Sequence, residues 1–446
     1  MQLDAQPDET PGAALAARLN EAAQRIIAGV EDTLGIRVRD LDKSFVELGG
    51  DSLSYVRMSM ILEDQLGQLP AAWEREPLQD LIRLANQNTG TPASSRWARM
   101  DATVLFRAIA IFIVALSHTG NLTFLSATSP LFVISGINFG KFLRPGIRST
   151  GSLGPTAQFI ARFAIPAGLW EAFRGLTLHH FWLPDLLLLG TFFQNPAAPH
   201  FTFWFLDVLA ANVLLLALIA KLGFWLRGKA TAGKDGHESL FRADLLCCLA
   251  GLAIAFAQVS TGWWEGNAGS TSVAPFKWFW MLVLGLLIAQ AETRARRCML
   301  TGFLACLISA AYSNLPFITP LFGETDALFF ASALALVWVD RLPVPRVLQR
   351  PVMAVASATL FIYIVNYSVM TKLLPALGSP DWWPLQVGAA IAAGIVAKSA
   401  WDRLARWTTK LTAFILARLP VAGRLVSRIL PKSTPYFAPK PAVSGA

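Results

Sequence analysis

The sequence predicts an all-α protein in two parts, a small soluble helical-bundle domain followed by a polytopic bundle of about ten transmembrane helices. Three observations predict it. Of 446 residues, 54% are hydrophobic and only 15% charged, with a mean hydropathy of +0.47, a balance that suits a polytopic membrane chain rather than one soluble core. Long apolar segments recur throughout residues 101–400. The charge is also divided. Residues 1–90 hold 15 Asp/Glu against 8 Lys/Arg, a net of −7, in a chain of total charge +9, so the remainder carries +16.

The head, residues 1–87, reads as three or four helices. Leu15, Leu19, Ala22, Ile26, Ile27, Val30 and Leu34 recur at helical spacing over 12–34, and Gly35 supplies a stop. A loop leads to Phe45 and on to Leu48-Gly-Gly-Asp-Ser-Leu53. A second helix is expected from Ser52, burying Leu53, Val56, Met60, Ile61 and Leu66 and ending at Gly67. A short third one is expected over 78–84. Residues 1–30 lack an apolar core flanked by positive charge, so no secretory leader is expected and the head should stay cytoplasmic. Residues 88–100 are rich in small residues and read as a linker, with Trp97 and Arg99 suited to a membrane interface.

In the body, residues 101–400, eleven apolar segments fall near 103–119, 129–143, 158–176, 183–194, 203–222, 242–260, 274–290, 298–313, 323–340, 352–375 and 383–400. If all crossed, the loop with Lys221, Arg227, Lys229, Lys234 and Arg242 would lie outside, against the positive-inside rule. Segment 183–194 has twelve residues, too few for an ordinary span. Taken as re-entrant, it leaves ten spans and places Arg294, Arg296, Arg297, Arg341, Arg346 and Arg350 on the cytoplasmic side with the C-terminus. Residues 401–446 then form a cytoplasmic tail whose first thirty residues are basic and amphipathic, suited to an anionic leaflet. Cys247, Cys248, Cys298 and Cys306 lie in or beside apolar segments without metal-ligand spacing, so no metal is expected. No aromatic-basic patch points to nucleic acid.

Within this body one helix stands out. Arg107 and His118, eleven positions apart, bracket an apolar run of ten residues. At about 100° per residue they share a helix face, and at about 1.5 Å rise they lie roughly 16 Å apart. Ionisable side chains inside a span are costly and usually face a functional interior. The same topology gathers His118, His200, Trp204, Asp207, Asn366 and Tyr367, with His179 and His180, toward the outer face. His237 alone among the histidines falls in a cytoplasmic loop.

Two resemblances organise these residues. Leu48-Gly-Gly-Asp-Ser-Leu53, with Phe45 and the flanking helices, resembles the attachment motif of acyl and peptidyl carrier domains. That implies 4′-phosphopantetheine esterified to Ser52, with Asp51 assisting attachment, and a phosphopantetheinyl transferase as partner. No adenylation domain accompanies it, so a separate adenylating or acyl-loading enzyme is expected. The body resembles acyltransferase family 3. Arg107 and His118 match its Arg-x10-His helix. Pro130–Gly136, which contains Ser135, resembles its phenylalanine-rich segment ending in Ser-Gly. His200–Leu206 resembles its Trp-Phe-Leu span, and Ser357–Val369 its late Tyr-Leu-His span. Two positions depart from the pattern. Leu209 stands where members often carry Glu, leaving Asp207 as the nearest carboxylate, and Asn366 stands in place of the late His.

Acyl transfer needs a base for the acceptor's proton and a donor to the developing oxyanion. His118 is expected as the base, since imidazole titrates near neutrality. Asp207 is expected to orient it and Asn366 to donate to the oxyanion. Arg107, always charged, is expected to hold a phosphate or carbonyl of the pantetheine arm. Ser135, His200, Trp204 and Tyr367 are expected to line the substrate pocket. The expected activity is transfer of an acyl or aminoacyl group from the carrier's thioester to a hydroxyl or amine on a small-molecule, glycan or lipid acceptor, in a bacterial inner membrane. A carrier merely anchored for other enzymes and a transporter-like body are the alternatives.

Overall fold

The structure is a computed structural model that describes residues 11–67, 69–70, 72–87, 96–120, 127–178, 182–193, 203–227, 234–261, 275–313, 327–378 and 382–418. Two compact units divide the chain, Met1–Ser95 with Val396–Ala446, and Arg96–Ile395.

The first unit begins with α1 (Pro11–Leu34), closed by Gly35 at φ 68°, whose N–H donates to the Glu31 carbonyl over 2.8 Å. Helix α2 (Ser52–Leu66) ends at Gly67, φ 70°, as its sequence signals predict. Helix α3 (Leu78–Gln87) runs three residues past its predicted end. A short 3-10 turn, Trp73–Arg75, was not predicted, yet it supplies the centre of the core. The Trp73 ring is fully buried between Phe45, centroids 5.2 Å apart, and Tyr55 at 5.0 Å. The buried face of α2 is made by Tyr55, Val56, Met58, Leu62 and Leu66, while Met60 and Ile61 are only half-buried. The periodic reading found Val56 and Leu66 but missed Tyr55, Met58 and Leu62, the first of which stacks on Trp73.

The second unit opens with β1 (Trp97–Asp101), where a linker was expected. It pairs antiparallel with β2 (Arg341–Pro345) in the register Trp97↔Pro345 to Asp101↔Arg341. Both prolines of β2 are tolerated because a two-stranded ribbon is all edge. Helices α4 (Ala102–Ser117) and α5 (Thr128–Asn138) follow. α5 widens into a π turn at Phe139–Leu143 before α6 (Arg144–Thr150). Next come α7 (Gly154–Leu178), the single turn α8 (Leu183–Leu186), α9 (Trp204–Arg227) and α10 (Lys234–Thr261). A 3-10 turn, Pro275–Trp278, leads into α11 (Phe279–Ala289), then α12 (Arg294–Ala311) and α13 (Ala327–Trp338).

Segments 203–222 and 242–260 form helices long and apolar enough to cross a membrane unaided. Trp204–Leu226 has a mean hydropathy of 2.1 and Glu238–Thr261 one of 1.9. The described part of segment 183–194, residues 183–193, is one helical turn followed by turns, and Leu188 has a φ of 56°. The expected single span 352–375 is two helices, α14 (Arg346–Ser357) and α15 (Thr359–Ser368), bent by 71° at Ala358. A π turn, Val369–Leu373, and the short α16 (Leu374–Ala376) continue α15. Segment 383–400 and the start of the expected tail are one helix, α17 (Trp383–Arg418).

Glycine sets the closest packing of the body. A Cβ on Gly136 would lie 1.8 Å from the Leu282 carbonyl oxygen, and one on Gly285 would lie 1.9 Å from that of Val133. Helices α5 and α11 therefore touch backbone to backbone, as small residues allow where no hydrophobic effect drives helices together. Gly394 of α17 brings that helix onto α15 in the same way, its Cβ position 2.4 Å from Ile362 Cγ1.

Candidate active site

The attachment loop is built from its two glycines outward. Gly49 has φ +93°, and a Cβ there would meet nothing within 4 Å. Gly50 has no such room, because a Cβ would lie 2.3 Å from the Phe45 ring. Ser44 donates its N–H and hydroxyl to the Glu47 carboxylate at 2.8 and 2.9 Å, which holds that carboxyl below its ordinary range and ties the turn. Asp51 caps α2 reciprocally. Its Oδ1 accepts from Ser54 N at 2.9 Å, and its own N–H donates to Ser54 Oγ at 2.8 Å. Ser52 is thus the first residue of α2, beside an open glycine turn and at the dipole end that favours a phosphate. These residues fit a phosphopantetheine ester.

In the body, Asp101 caps α4 by accepting from Thr103 N at 2.8 Å, and its carboxylate pairs with Lys141 Nζ at 3.8 Å on the π turn after α5. Arg107, six residues beyond that cap, is 7% exposed and lies in the field of Asp101. His118 closes the helix. Its ring meets Tyr367 edge-on, centroids 6.3 Å apart. The Asn366 side chain is a polar neighbour of the imidazole. Asn366 is fully buried. Its Nδ2 donates to the Tyr363 carbonyl at 3.0 Å, while Oδ1 has no hydrogen-bond partner among the described residues. A small cluster of Ala115, Leu116, Met370, Val387 and Ala390 packs the end of α4 against the π turn after α15 and against α17. The π turn follows directly on the stretch bearing Asn366 and Tyr367, where such bulges often accompany function.

The expected contact between Asp207 and His118 is replaced by another. Asp207 is buried, and its Oδ2 accepts from Thr191 N at 2.9 Å and Thr191 Oγ1 at 2.8 Å. The carboxylate therefore pins the irregular stretch after α8 to the start of α9, satisfying a backbone group that a membrane core would leave costly. Leu209, at the position of the family's usual Glu, is buried apolar surface. Ser135 spends its hydroxyl proton on the Leu131 carbonyl at 2.7 Å. Trp204 packs against Trp278, centroids 5.6 Å apart, and Tyr367 is 58% exposed. His200, His179 and His180 lie outside the described residues.

Sequence reasoning missed Tyr363, Trp278 and Lys277. Tyr363 stands one turn before Asn366 and Tyr367, and its ring packs on Phe203 and Phe205 at 6.1 and 5.6 Å, linking α15 to the start of α9. Its helical spacing from Asn366 was the available signal. Lys277 is buried over the Trp278 ring, 5.3 Å from its centroid. A lone cation inside an otherwise apolar segment marked it.

A small helical bundle that presents a serine at a helix start, joined to an all-α membrane body whose leading helix ends in a histidine against an amide, defines a membrane-bound acyltransferase that carries its own acyl-carrier module. The acyltransferase 3 family model, described as an acyltransferase domain, matches residues 101–399, and a model described as a phosphopantetheine attachment site matches 24–73. The chain belongs to the acyltransferase 3 family, an integral-membrane family, and it is an acyltransferase. Its carrier domain implies a phosphopantetheine group, a phosphopantetheinyl transferase to attach it and an enzyme to load it. None of the curated proteins or solved structures matches the chain.

Proposed function

We propose that the acyl or aminoacyl group this enzyme transfers is the one held as a thioester on its own carrier domain, attached through Ser52, and that the acceptor is a hydroxyl or amine on a small molecule, glycan or lipid. The observation that carries this reading is the occurrence, in one chain, of an attachment-site domain and an acyltransferase body. The proposed division is a carrier at 1–87, a linker at 88–100 whose last four residues pair as part of β1, the membrane domain at 101–400 and a tail at 401–446. The positive-inside rule supports a cytoplasmic carrier and C-terminus, and a bacterial inner membrane is the proposed location.

When attached, 4′-phosphopantetheine supplies a thiol on a long arm that carries the acyl group. The remaining work falls to side chains. Asp51 holds Ser52 at the start of α2. Arg107 binds and orients an anionic or carbonyl group of the donor, a task suited to a permanently charged fork. A lone pair of the His118 imidazole takes the proton of the acceptor as the acceptor oxygen or nitrogen bonds to the acyl carbon. His118 would return that proton to the thiol leaving group as the acyl carbon parts from it.

Full-length protein loaded with labelled acetyl groups and mixed with host membrane extract tests the reading. Ser52→Ala is expected to take no label, and His118→Ala to keep it. Full transfer by Ser52→Ala from free acetyl-CoA would sink the tethered donor. Label that leaves for other enzymes without His118 would favour the anchored carrier, and movement of an unacylated solute would favour transport.

A further inference from the structure

We infer that Asn366 is the positioning residue of His118, accepting a hydrogen bond from one imidazole N–H through its amide oxygen and so leaving the opposite ring nitrogen unprotonated as the base. The inference rests on the reading of His118 above and changes the part first expected of Asn366. The amide nitrogen is already engaged with the Tyr363 carbonyl at 3.0 Å, which fixes the rotation of the group and turns Oδ1 away from Tyr363. Oδ1 is buried, makes no hydrogen bond to any described residue, and belongs to a side chain that neighbours the imidazole. A buried acceptor left unmade costs about 1–3 kcal/mol, so an imidazole N–H is its natural partner. Asp207, the alternative orienter, is held by Thr191 instead.

The neighbours of the imidazole match this neutral arrangement. Tyr367 of α15 is the titratable group whose ring meets it, and no charged side chain among the described residues acts on it. The residues packed at the end of α4 from α17 and the π turn, Val387, Ala390 and Met370, are apolar. An amide differs from a carboxylate here. It selects the tautomer without adding a charge beside the ring.

The test uses the full chain in detergent with three variants. Ring-nitrogen NMR of histidine-labelled protein, with the His118 signal identified by its loss in His118→Ala, is expected to show one fixed tautomer in the wild type and a mixture in Asn366→Leu. Release of labelled acetyl groups to host membrane extract in a single turnover is expected to slow on the order of 100-fold in Asn366→Leu. Asn366→Asp keeps an acceptor and adds a negative charge. It is expected to retain turnover within about tenfold of wild type at high pH, with the acidic limb of its pH–rate profile moved upward. Wild-type rate and tautomer in Asn366→Leu would overturn the inference, as would an Asn366→Asp protein with its acidic limb unmoved. If Asn366→Leu does not fold, that limb decides alone. A His118→Ala protein that still transfers label sinks the base reading itself, whatever Asn366 does.

Discussion

At the scale of single residues, the costly groups of α4 are treated differently at its two ends. Arg107 is buried in the field of Asp101, which also caps the helix and pairs with Lys141. One carboxylate against two cations leaves a net positive charge, which suits the anionic donor group of the proposed function. Arg107→Lys keeps the charge but loses the planar fork, and a lost charged hydrogen bond is worth about 1.5–3 kcal/mol. Single-turnover transfer is expected to slow roughly 10- to 100-fold in Arg107→Lys with its protein yield unchanged. A wild-type rate would remove Arg107 from the site. The Arg107–His118 pair stood out in the sequence because ionisable residues in an apolar run are costly. The role of Asn366 did not. A sequence shows which groups an amide can bond, but not which way it is turned, and that depends on the Tyr363 carbonyl one helical turn away.

At the scale of elements, the Ser135-Gly136 sequence takes on a packing meaning. Ser135 bonds its own helix, and Gly136 lets α5 meet α11 at Gly285. Gly136→Ala or Gly285→Ala would push a methyl group into a backbone carbonyl, and neither helix can yield locally. Overpacking of this kind costs about 1–3 kcal/mol or more. Both variants are expected to lower the midpoint of thermal aggregation in detergent, whereas Gly302→Ala in α12, with nothing within 4 Å of its Cβ, is expected to hold or raise it. Equal midpoints for Gly136→Ala and Gly302→Ala would contradict the close approach. The apolar segments were legible because period and length suffice to find helices. The ribbon of β1 and β2 was not, since its partners are some 240 residues apart and two of its five pairs contain proline. The bend at Ala358 escaped for a related reason. The apolar run is continuous there, so hydropathy carries no mark of the break, which lies one turn before Ile362, where Gly394 of α17 packs.

At the scale of the whole molecule, the feature to explain is why donor carrier and transferase share one polypeptide. Strand β1 begins at Trp97, so the connection after Gln87 is nine residues, whose reach on full extension is roughly 30 Å. A short connection raises the effective concentration of a tethered donor to the millimolar range, far above what a free carrier protein reaches in dilute solution. Under the proposed function, a loaded wild-type chain is expected to transfer its labelled acetyl group at a first-order rate that does not change when the protein is diluted tenfold. A Ser52→Ala chain supplied with a separately expressed, loaded carrier domain is expected to slow in proportion to dilution. Mixing a loaded His118→Ala chain with unloaded Ser52→Ala chain separates the remaining case. Transfer between these two, at a rate matching the wild type, would mean that the carrier serves a neighbouring molecule rather than its own body, and the connection would then act to hold carriers at the membrane.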